Sequence, residues 1–85
     1  MIHPSWGAAL RDFDEGLRRQ NLAEKTRRAY GVDLGQLAAW ASAQGLDPEQ
    51  VDVRALRRFA GVLSERGMSR STVARKLASI RSFYA

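Results

Sequence analysis

The residues best suited to chemistry lie near the end of the chain, between positions 68 and 85. This stretch carries four basic residues and no acidic one: Arg70, Arg75, Lys76 and Arg81. Cations set among short hydroxyl and methyl side chains let a helix come close to a polyanion, while the longer side chains reach phosphates or base edges. An ordinary solvated basic face has the same composition, so the rest of the chain has to decide between the two.

Helical periodicity separates the apolar and basic residues of this stretch. A core-facing stripe is predicted at Val73, Leu77, Ile80 and Tyr84. The opposite face then carries Ser71, Arg75, Ala78, Ser79 and Ser82, with Thr72 and Lys76 at its edge. Ser69 or Ser71 is expected to cap the helix, where free backbone N–H groups also favour a phosphate.

Residues suited to catalysis or metal binding are scarce. The chain has no cysteine and one histidine, His3, and it lacks a phosphate-binding loop and a dinucleotide glycine pattern. Tyr30 and Tyr84 both lie on apolar stripes, so each is interpreted as a core aromatic with its hydroxyl at the rim. We therefore expect no enzymatic activity, no cofactor and no metal site in these residues.

The charge is unevenly distributed. Fourteen Lys and Arg against nine Asp and Glu give +5, and residues 18–30 hold five basic residues and one acidic residue. Together with the acid-free stretch near the end, this predicts two elements that meet on one electropositive face. The partner expected is nucleic acid rather than a membrane, because no run is long enough to span a bilayer and no helix has a large interfacial apolar face. The sequence is interpreted as a soluble, cytoplasmic chain.

Four helices joined by short loops account for the whole pattern, which predicts an all-α domain. Residues 1–4 are expected to be disordered, and a first helix capped by Ser5 runs to about residue 20 with Trp6, Leu10, Phe13 and Leu17 in the core. A third helix is capped by Asp52 and ends near Arg66. Gly45 and Gly67 terminate the second and third helices.

The second helix, from about residue 23 to 44, has a predicted buried stripe at Thr26, Tyr30, Leu34, Leu37 and Ala41. Lys25 and Arg28 point away from that stripe. A side of small residues, Gly31, Gly35, Ala38 and Ser42, is expected to allow close approach of another backbone, with tolerated surface glycine as the plainer alternative.

Two patterns in these helices resemble a known family. The second helix contains Thr26-x-x-x-Tyr30-x-x-Asp33-Leu34-x-x-Leu37-x-x-Trp40, and the fourth contains Ser69-x-x-Thr72-Val73-Ala74-Arg75-Lys76-Leu77-Ala78-Ser79-Ile80-Arg81-Ser82-Phe83-Tyr84. Together they are similar to the N-terminal core-binding domain of bacterial tyrosine recombinases, most closely the Xer type that resolves chromosome dimers, with phage and integron integrases as relatives. The resemblance covers most of the chain.

The resemblance implies a four-helix, SAM-like bundle whose second and fourth helices lie against the major groove of double-stranded DNA. By position, the DNA-facing candidates are Lys25, Thr26, Arg28 and Tyr30 on the second helix, and Ser69, Ser71, Thr72, Arg75, Lys76 and Ser79 on the fourth. Glycine and valine follow Tyr30 where many relatives have basic residues, and Arg81 lies toward the flank of the buried stripe, where it can meet the protein's own acids.

The family also implies a separate catalytic domain, which carries the nucleophilic tyrosine and its Arg, Lys and His partners. The fourth helix keeps its apolar period to the end without a stop signal, so residues 5–85 are expected to be a DNA-binding domain truncated before that catalytic domain. The fragment itself is expected to be monomeric and non-catalytic, and to meet other recombinase protomers only in the full-length complex. The alternative function is a helical protein-interaction domain that docks an acidic protein on its basic surface.

Overall fold

The computed structural model describes residues 2–85 and contains four α-helices in the order expected. They are α1 (Pro4–Arg19), α2 (Glu24–Ala43), α3 (Val53–Glu65) and α4 (Arg70–Tyr84), with a short 3-10 helix at Pro48–Gln50 between α2 and α3. No strand occurs among these residues. The predicted all-α, four-helix architecture is confirmed.

Capping side chains and glycines set the boundaries of three helices where the sequence predicts. The Asp52 side chain accepts a hydrogen bond from the Ala55 N–H at 2.8 Å, and the Ser69 side chain accepts one from the Thr72 N–H at 3.2 Å. Gly45 and Gly67 follow α2 and α3 with φ angles of +73° and +84°, a region that glycine enters without steric cost.

The start of α1 lies two residues earlier than predicted, because the cap is His3 rather than Ser5. The helix begins at Pro4, and His3 caps it by accepting the Ser5 N–H on Nδ1 at 3.2 Å. The His3 backbone N–H donates to Ser42 Oγ at 3.1 Å, which ties the start of α1 to α2. Pro4 therefore belongs to the helix rather than to the disordered segment expected at residues 1–4, of which Met1 lies outside the described residues.

The core forms where all four helices meet. Its fully buried members are Trp6, Leu34, Leu37, Ala38, Ala41, Phe59, Leu63 and Ile80. The Trp6 indole N–H donates to the Leu46 carbonyl at 2.8 Å, so the largest core side chain also anchors the loop after α2. Of the predicted α1 stripe, Trp6 and Leu17 are buried, and Leu10 and Phe13 are partly buried against the core.

The buried side of α2 is rotated near its start relative to the prediction. Thr26 is exposed, and Arg27 instead faces α1, with its NH1 group 3.4 Å from Asp14 Oδ2. Tyr30 is half-buried and lies edge-on to Phe13 at a ring-centroid distance of 5.6 Å. Arg27 takes the place expected for Thr26 because its long aliphatic stem can pack while its guanidinium pairs with the acid.

On the small-residue side of α2, the two glycines do not receive another backbone within residues 2–85, although Ser42 accepts the His3 backbone N–H. A Cβ atom added at Gly31 or Gly35 would have no neighbouring atom within 4 Å, so close approach at these glycines is wrong and tolerated surface glycine is what the structure shows. Ala38, by contrast, is fully buried in the core.

Near the end of α4, Phe83 rather than Tyr84 completes the core. Phe83 lies 5.4 Å from Phe13 and 6.2 Å from Trp6 by ring centroids, whereas Tyr84 is 40% exposed. The Tyr84 hydroxyl donates to the Pro48 carbonyl at 2.6 Å. Partial burial and the Glu49 carboxylate raise the pKa of Tyr84 to about 12, so the phenol stays protonated at neutral pH.

Candidate nucleic-acid interface

The contact between α2 and α4 is organised around one buried carboxylate, that of Asp33. Its side chain is 1% exposed. Three α4 side chains donate to it: Lys76 Nζ to Oδ1 at 3.0 Å, Arg75 NH1 to Oδ2 at 2.7 Å and Ser79 Oγ to Oδ2 at 2.8 Å. We refer to these four residues, with Gln36, as the Asp33 cluster.

Lys76 is the one α4 candidate that the structure removes from the surface. Its side chain is 6% exposed, and its ammonium group donates to Gln36 Oε1 at 2.6 Å as well as to Asp33. The expectation that Lys76 lies at the edge of the outward face is therefore wrong. Lys76 precedes the buried Ile80 by four residues, and that spacing places both side chains on the core-facing side of the helix.

Opposing influences act on the ionisation of Asp33. Burial alone would raise its pKa, but hydrogen bonds from Lys76 and Ser79, with the positive charges of Lys76 and Arg75, hold the pKa below the ordinary value of 3.8. Asp33 is therefore ionised at neutral pH. No buried polar side-chain atom within residues 2–85 lacks a hydrogen-bond partner.

Arg75 connects this buried carboxylate to the surface. Its side chain is 54% exposed although one of its NH groups is bonded to Asp33. A guanidinium carries five N–H donors in a fixed planar arrangement, so the donors not bonded to Asp33 remain available at the surface. Ser79 is half-buried and its hydroxyl already donates to Asp33. Its side chain is therefore less accessible to a ligand than that of Arg75.

The outward face predicted for α4 is otherwise present. Ser71, Arg75, Ala78 and Ser82 are all exposed. At the helix start, Ser69 Oγ donates to Thr72 Oγ1 at 3.0 Å and lies 3.2 Å from Ser71 Oγ. These three hydroxyls lie at the N-terminus of α4, where the Thr72 N–H is bonded to Ser69 and the helix dipole favours an anion.

The candidates on α2 lie near its start. Lys25 and Thr26 are exposed, and Arg28 NH2 is paired with Glu24 Oε1 at 2.8 Å. Both members of that pair are largely exposed, so it is weak and a stronger anion can replace Glu24. Tyr30 is only partly exposed, and its ring makes a T-shaped contact with that of Phe13.

The two helices run in opposite directions through the cluster. Asp33 contacts Ser79 and Gln36 contacts Lys76, so residue numbers rise along α2 as they fall along α4. Lys25 lies eight residues before Asp33, and Ser71 eight residues before Ser79, or about 12 Å each at 1.5 Å per residue. The structure thus brings Arg75, Lys76 and Ser79 together, whereas the basic start of α2 and the start of α4 lie on either side of them.

Arg57 of α3 and Arg81 of α4 lie on a different side of α4 from Arg75. They flank a groove between α3 and α4 whose floor includes Leu56 and Leu77. Leu77 follows Arg75 by two residues, and Arg81 follows Ser79 by two residues. Each step is a rotation of about 200° around the helix. Within residues 2–85, no carboxylate lies within ion-pairing distance of Arg81.

Asp33 and Gln36 are the site residues that sequence reasoning missed. Asp33 was named only as a member of the second-helix pattern and was assigned no role. A signal was available, since Asp33 is three residues after Tyr30 and four before Leu37, which places a charged residue on the core-facing side of α2. Lys76 occupies the equivalent position on α4, and two such residues of opposite charge indicate a buried pair.

Other classes of site are not apparent in the described part of the chain. Residues 2–85 contain no group of three or more His, Cys, Asp or Glu side chains placed to hold a metal ion. None of the helices described above is long and apolar enough to cross a membrane.

Comparison with known proteins identifies relatives over nearly all of these elements. Tyrosine recombinase XerD of Chlorobaculum tepidum is 35% identical over 80 residues, which cover 93% of this chain and 26% of the relative. Tyrosine recombinase XerC of Chlorobaculum parvum is 42% identical over 72 residues, which cover 76% of this chain and 21% of the relative. Tyrosine recombinase XerC of Mycobacterium leprae is 34% identical over 79 residues, which cover 92% of this chain and 27% of the relative.

The chain thus spans about a quarter of the length of these relatives. No solved structure matched it significantly. The family model described as "Phage integrase, N-terminal SAM-like domain" matches residues 10–85, which include most of α1 and all of α2, α3 and α4. The predicted resemblance is confirmed, and the chain belongs to the family of phage-integrase N-terminal SAM-like domains.

Proposed function

We propose that this chain is a DNA-binding module of a site-specific tyrosine recombinase and that α2 and α4 face the duplex. The observation that carries the proposal is the exposed face of α4, where Arg75 stands among short side chains in a segment with no acidic residue. Short side chains let the helix enter a major groove about 12 Å wide, and the arginine reaches its wall.

Different parts of the interface are assigned different contacts. Arg75 binds a phosphate from the centre of the face, and Ser69, Ser71 and Thr72 bind another with the N–H groups of the first turn of α4. Lys25 and Arg28 bind phosphates from the start of α2, with Thr26 and Tyr30 beside them. Ser79 and Lys76 act inside the Asp33 cluster, where they hold the two helices together.

The spacing of these groups suits a duplex. The start of α2 and the start of α4 lie at most about 24 Å apart along the helix pair, from 12 Å on each side of the cluster. That distance is shorter than one turn of B-DNA, about 34 Å. One domain can therefore contact phosphates on both sides of a single major groove.

The protein to which this domain belongs is proposed to break and rejoin DNA strands, since the relatives are named tyrosine recombinases. In that role the domain binds and orients the duplex while the chemistry belongs to a catalytic domain. We further assign it to chromosome dimer resolution in the cytoplasm, in a complex with other recombinase protomers, because the relatives named above are of the Xer type.

The proposal is tested by measuring binding to a fluorescent random-sequence duplex over a series of salt concentrations. We expect affinity to fall steeply with salt, with a slope that becomes about 0.9 shallower for each phosphate contact removed by Lys25→Ala, Arg28→Ala or Arg75→Ala. Arg57→Ala is the matched control, because Arg57 is exposed and lies on α3, on the groove side of α4.

Two results would contradict the proposal. Equal losses for Arg57→Ala and Arg75→Ala would mean that the wrong face has been assigned. Stoichiometric binding of an acidic protein without any salt-dependent affinity for duplex DNA would instead support the helical protein-interaction domain.

A further inference from the structure

A buried negative charge lies behind the face assigned to DNA. Asp33 is ionised, and its carboxylate is 2.7 Å from the arginine proposed to contact phosphate. A carboxylate at that place repels a polyanion, and apolar residues of similar volume often stabilise helix contacts as well as a buried ion pair does. Neither packing nor net charge therefore accounts for an acidic residue at position 33.

The hydrogen bonds of Asp33 divide between two tasks. Oδ1 accepts from Lys76, which is buried, while Oδ2 accepts from Arg75 and Ser79. One carboxylate and two cations leave a net charge of about +1. Lys76 balances the carboxylate in the interior, so the uncompensated charge is that of the more exposed cation, Arg75.

Arg75 gains a defined orientation from its bond to Asp33. A free arginine side chain samples many rotamers, and binding has to overcome the entropy lost when it is fixed. A bond to one nitrogen of the planar guanidinium also sets the directions of its other donors. The Asp33 anchor is 1% exposed and itself held by Lys76 and Ser79, so its position is well defined.

We propose that Asp33 is a positioning residue for DNA binding, which holds the Arg75 guanidinium ready to contact a phosphate. This inference rests on the proposed function. Asp33 does not touch DNA in this role and acts only through Arg75. Lys76 neutralises Asp33 and thereby leaves the charge of Arg75 available to the phosphate.

The proposal predicts an effect opposite in sign to that of net charge. Asp33→Asn changes the net charge from +5 to +6, which by itself favours a polyanion. Loss of the anchor should nevertheless weaken duplex binding about tenfold, the size expected for one charge-assisted hydrogen bond. Asp12→Asn is the matched control, because Asp12 is exposed on α1 and its replacement also gives +6.

Asp33→Asn leaves Lys76 buried without a charged partner, so a second variant guards against unfolding. The pair Asp33→Asn with Lys76→Met removes both charges and keeps the net charge at +5. The unmodified domain is its reference, because it has the same net charge and keeps the bonds from Arg75 and Ser79 to Asp33. Affinities are compared per folded molecule, with the folded fraction measured by circular dichroism at the same temperature and salt.

The decisive measurement is the coupling between positions 33 and 75. Arg75→Ala should weaken binding about tenfold and reduce the salt slope by about one unit in the otherwise unmodified domain, where Lys76 still neutralises Asp33. In the background that carries both Asp33→Asn and Lys76→Met, the same substitution should change affinity less than about threefold, because Arg75 is no longer positioned. A purely structural role for Asp33 would leave the effect of Arg75→Ala the same in both backgrounds.

The outcomes separate this inference from the proposed function. If the unmodified domain does not bind duplex DNA in a salt-dependent way, both fail. If it binds, and Arg75→Ala weakens binding equally with and without Asp33, the domain binds DNA but Asp33 does not position Arg75. Tighter binding by folded Asp33→Asn, matching Asp12→Asn, would likewise overturn the inference.

Discussion

Replacing Asp33 with Asn should destabilise the domain strongly, because it leaves a buried lysine without its counter-charge. Lys76 is 6% exposed and would retain hydrogen-bond acceptors only in Gln36 and the new amide oxygen. Removing one member of a buried ion pair typically costs about 3–5 kcal/mol, since the remaining charge has lost its compensation.

That cost is large for a domain of this size. Typical stabilities of about 0.05–0.15 kcal/mol per residue give about 4–13 kcal/mol for 85 residues. A loss of 3 kcal/mol lowers the melting temperature by roughly 12–24 °C, at 4–8 °C per kcal/mol. Lys76→Met should cost less, about 1–3 kcal/mol, because Asp33 keeps its bonds to Arg75 and Ser79.

The assay is urea unfolding followed by circular dichroism for both single variants and for the double variant Asp33→Asn with Lys76→Met. The double variant should lose less free energy of unfolding than the sum of the single losses, by at least about 1 kcal/mol, because neither charge is left alone. Asp12→Asn controls for loss of a surface carboxylate and should stay within about 0.5 kcal/mol. Strictly additive losses at positions 33 and 76 would refute the account of a coupled buried pair.

Three further outcomes follow from burial and ionisation. Ile80→Ala should cost about 2–5 kcal/mol, whereas Leu77→Ala, at a half-buried site, should cost less; thermal melting of both variants checks the order. Gly35→Ala should stabilise the domain by up to about 1 kcal/mol, since the added methyl meets no atom within 4 Å, and a lower melting temperature would contradict this. Because the pKa of Asp33 is lowered on folding, its charge stabilises the fold above the ordinary value of 3.8, and that stability is lost as pH falls through the folded value. Urea midpoints at pH 7 and pH 3 should therefore differ more for the unmodified domain than for Asp33→Asn.

Helix ends were the most predictable feature of this chain, because they depend on neighbouring residues alone. Asp52 and Ser69 cap the third and fourth helices as expected, and Gly45 and Gly67 follow the preceding ones. At the start of α1, His3 provides the capping acceptor in place of Ser5, since a neutral histidine ring has a nitrogen that can accept a backbone N–H, here that of Ser5.

Side-chain facing was less predictable, because neighbouring residues differ by only 100° around a helix. Periodicity favoured Tyr84 for the core, but the apolar ring of Phe83 fits between Trp6 and Phe13, and Tyr84 bonds the Pro48 carbonyl instead. Such a choice depends on the shape of the space left by other helices, which no local pattern contains.

The Asp33 cluster could not be predicted from apolar periodicity, because that method assigns every charged residue to the surface. Its existence depends on a contact between positions 33 and 76, in helices separated by α3. A single charged residue on the core-facing side of a helix would suggest only that the helix had been assigned wrongly. Only the pair, considered together, indicates a buried salt bridge.

The basic character of the last stretch therefore overstates what α4 presents to a polyanion. Lys76 is neutralised in the interior, and Arg81 lies beside the groove with α3, about 200° from the side of Arg75 and Ser79. On the stripe formed by Ser71, Arg75, Ala78 and Ser82, only Arg75 is long enough to reach far beyond the helix. If this face binds DNA as we propose, its contribution depends less on the number of cations than on the direction of one guanidinium, which is bonded to Asp33.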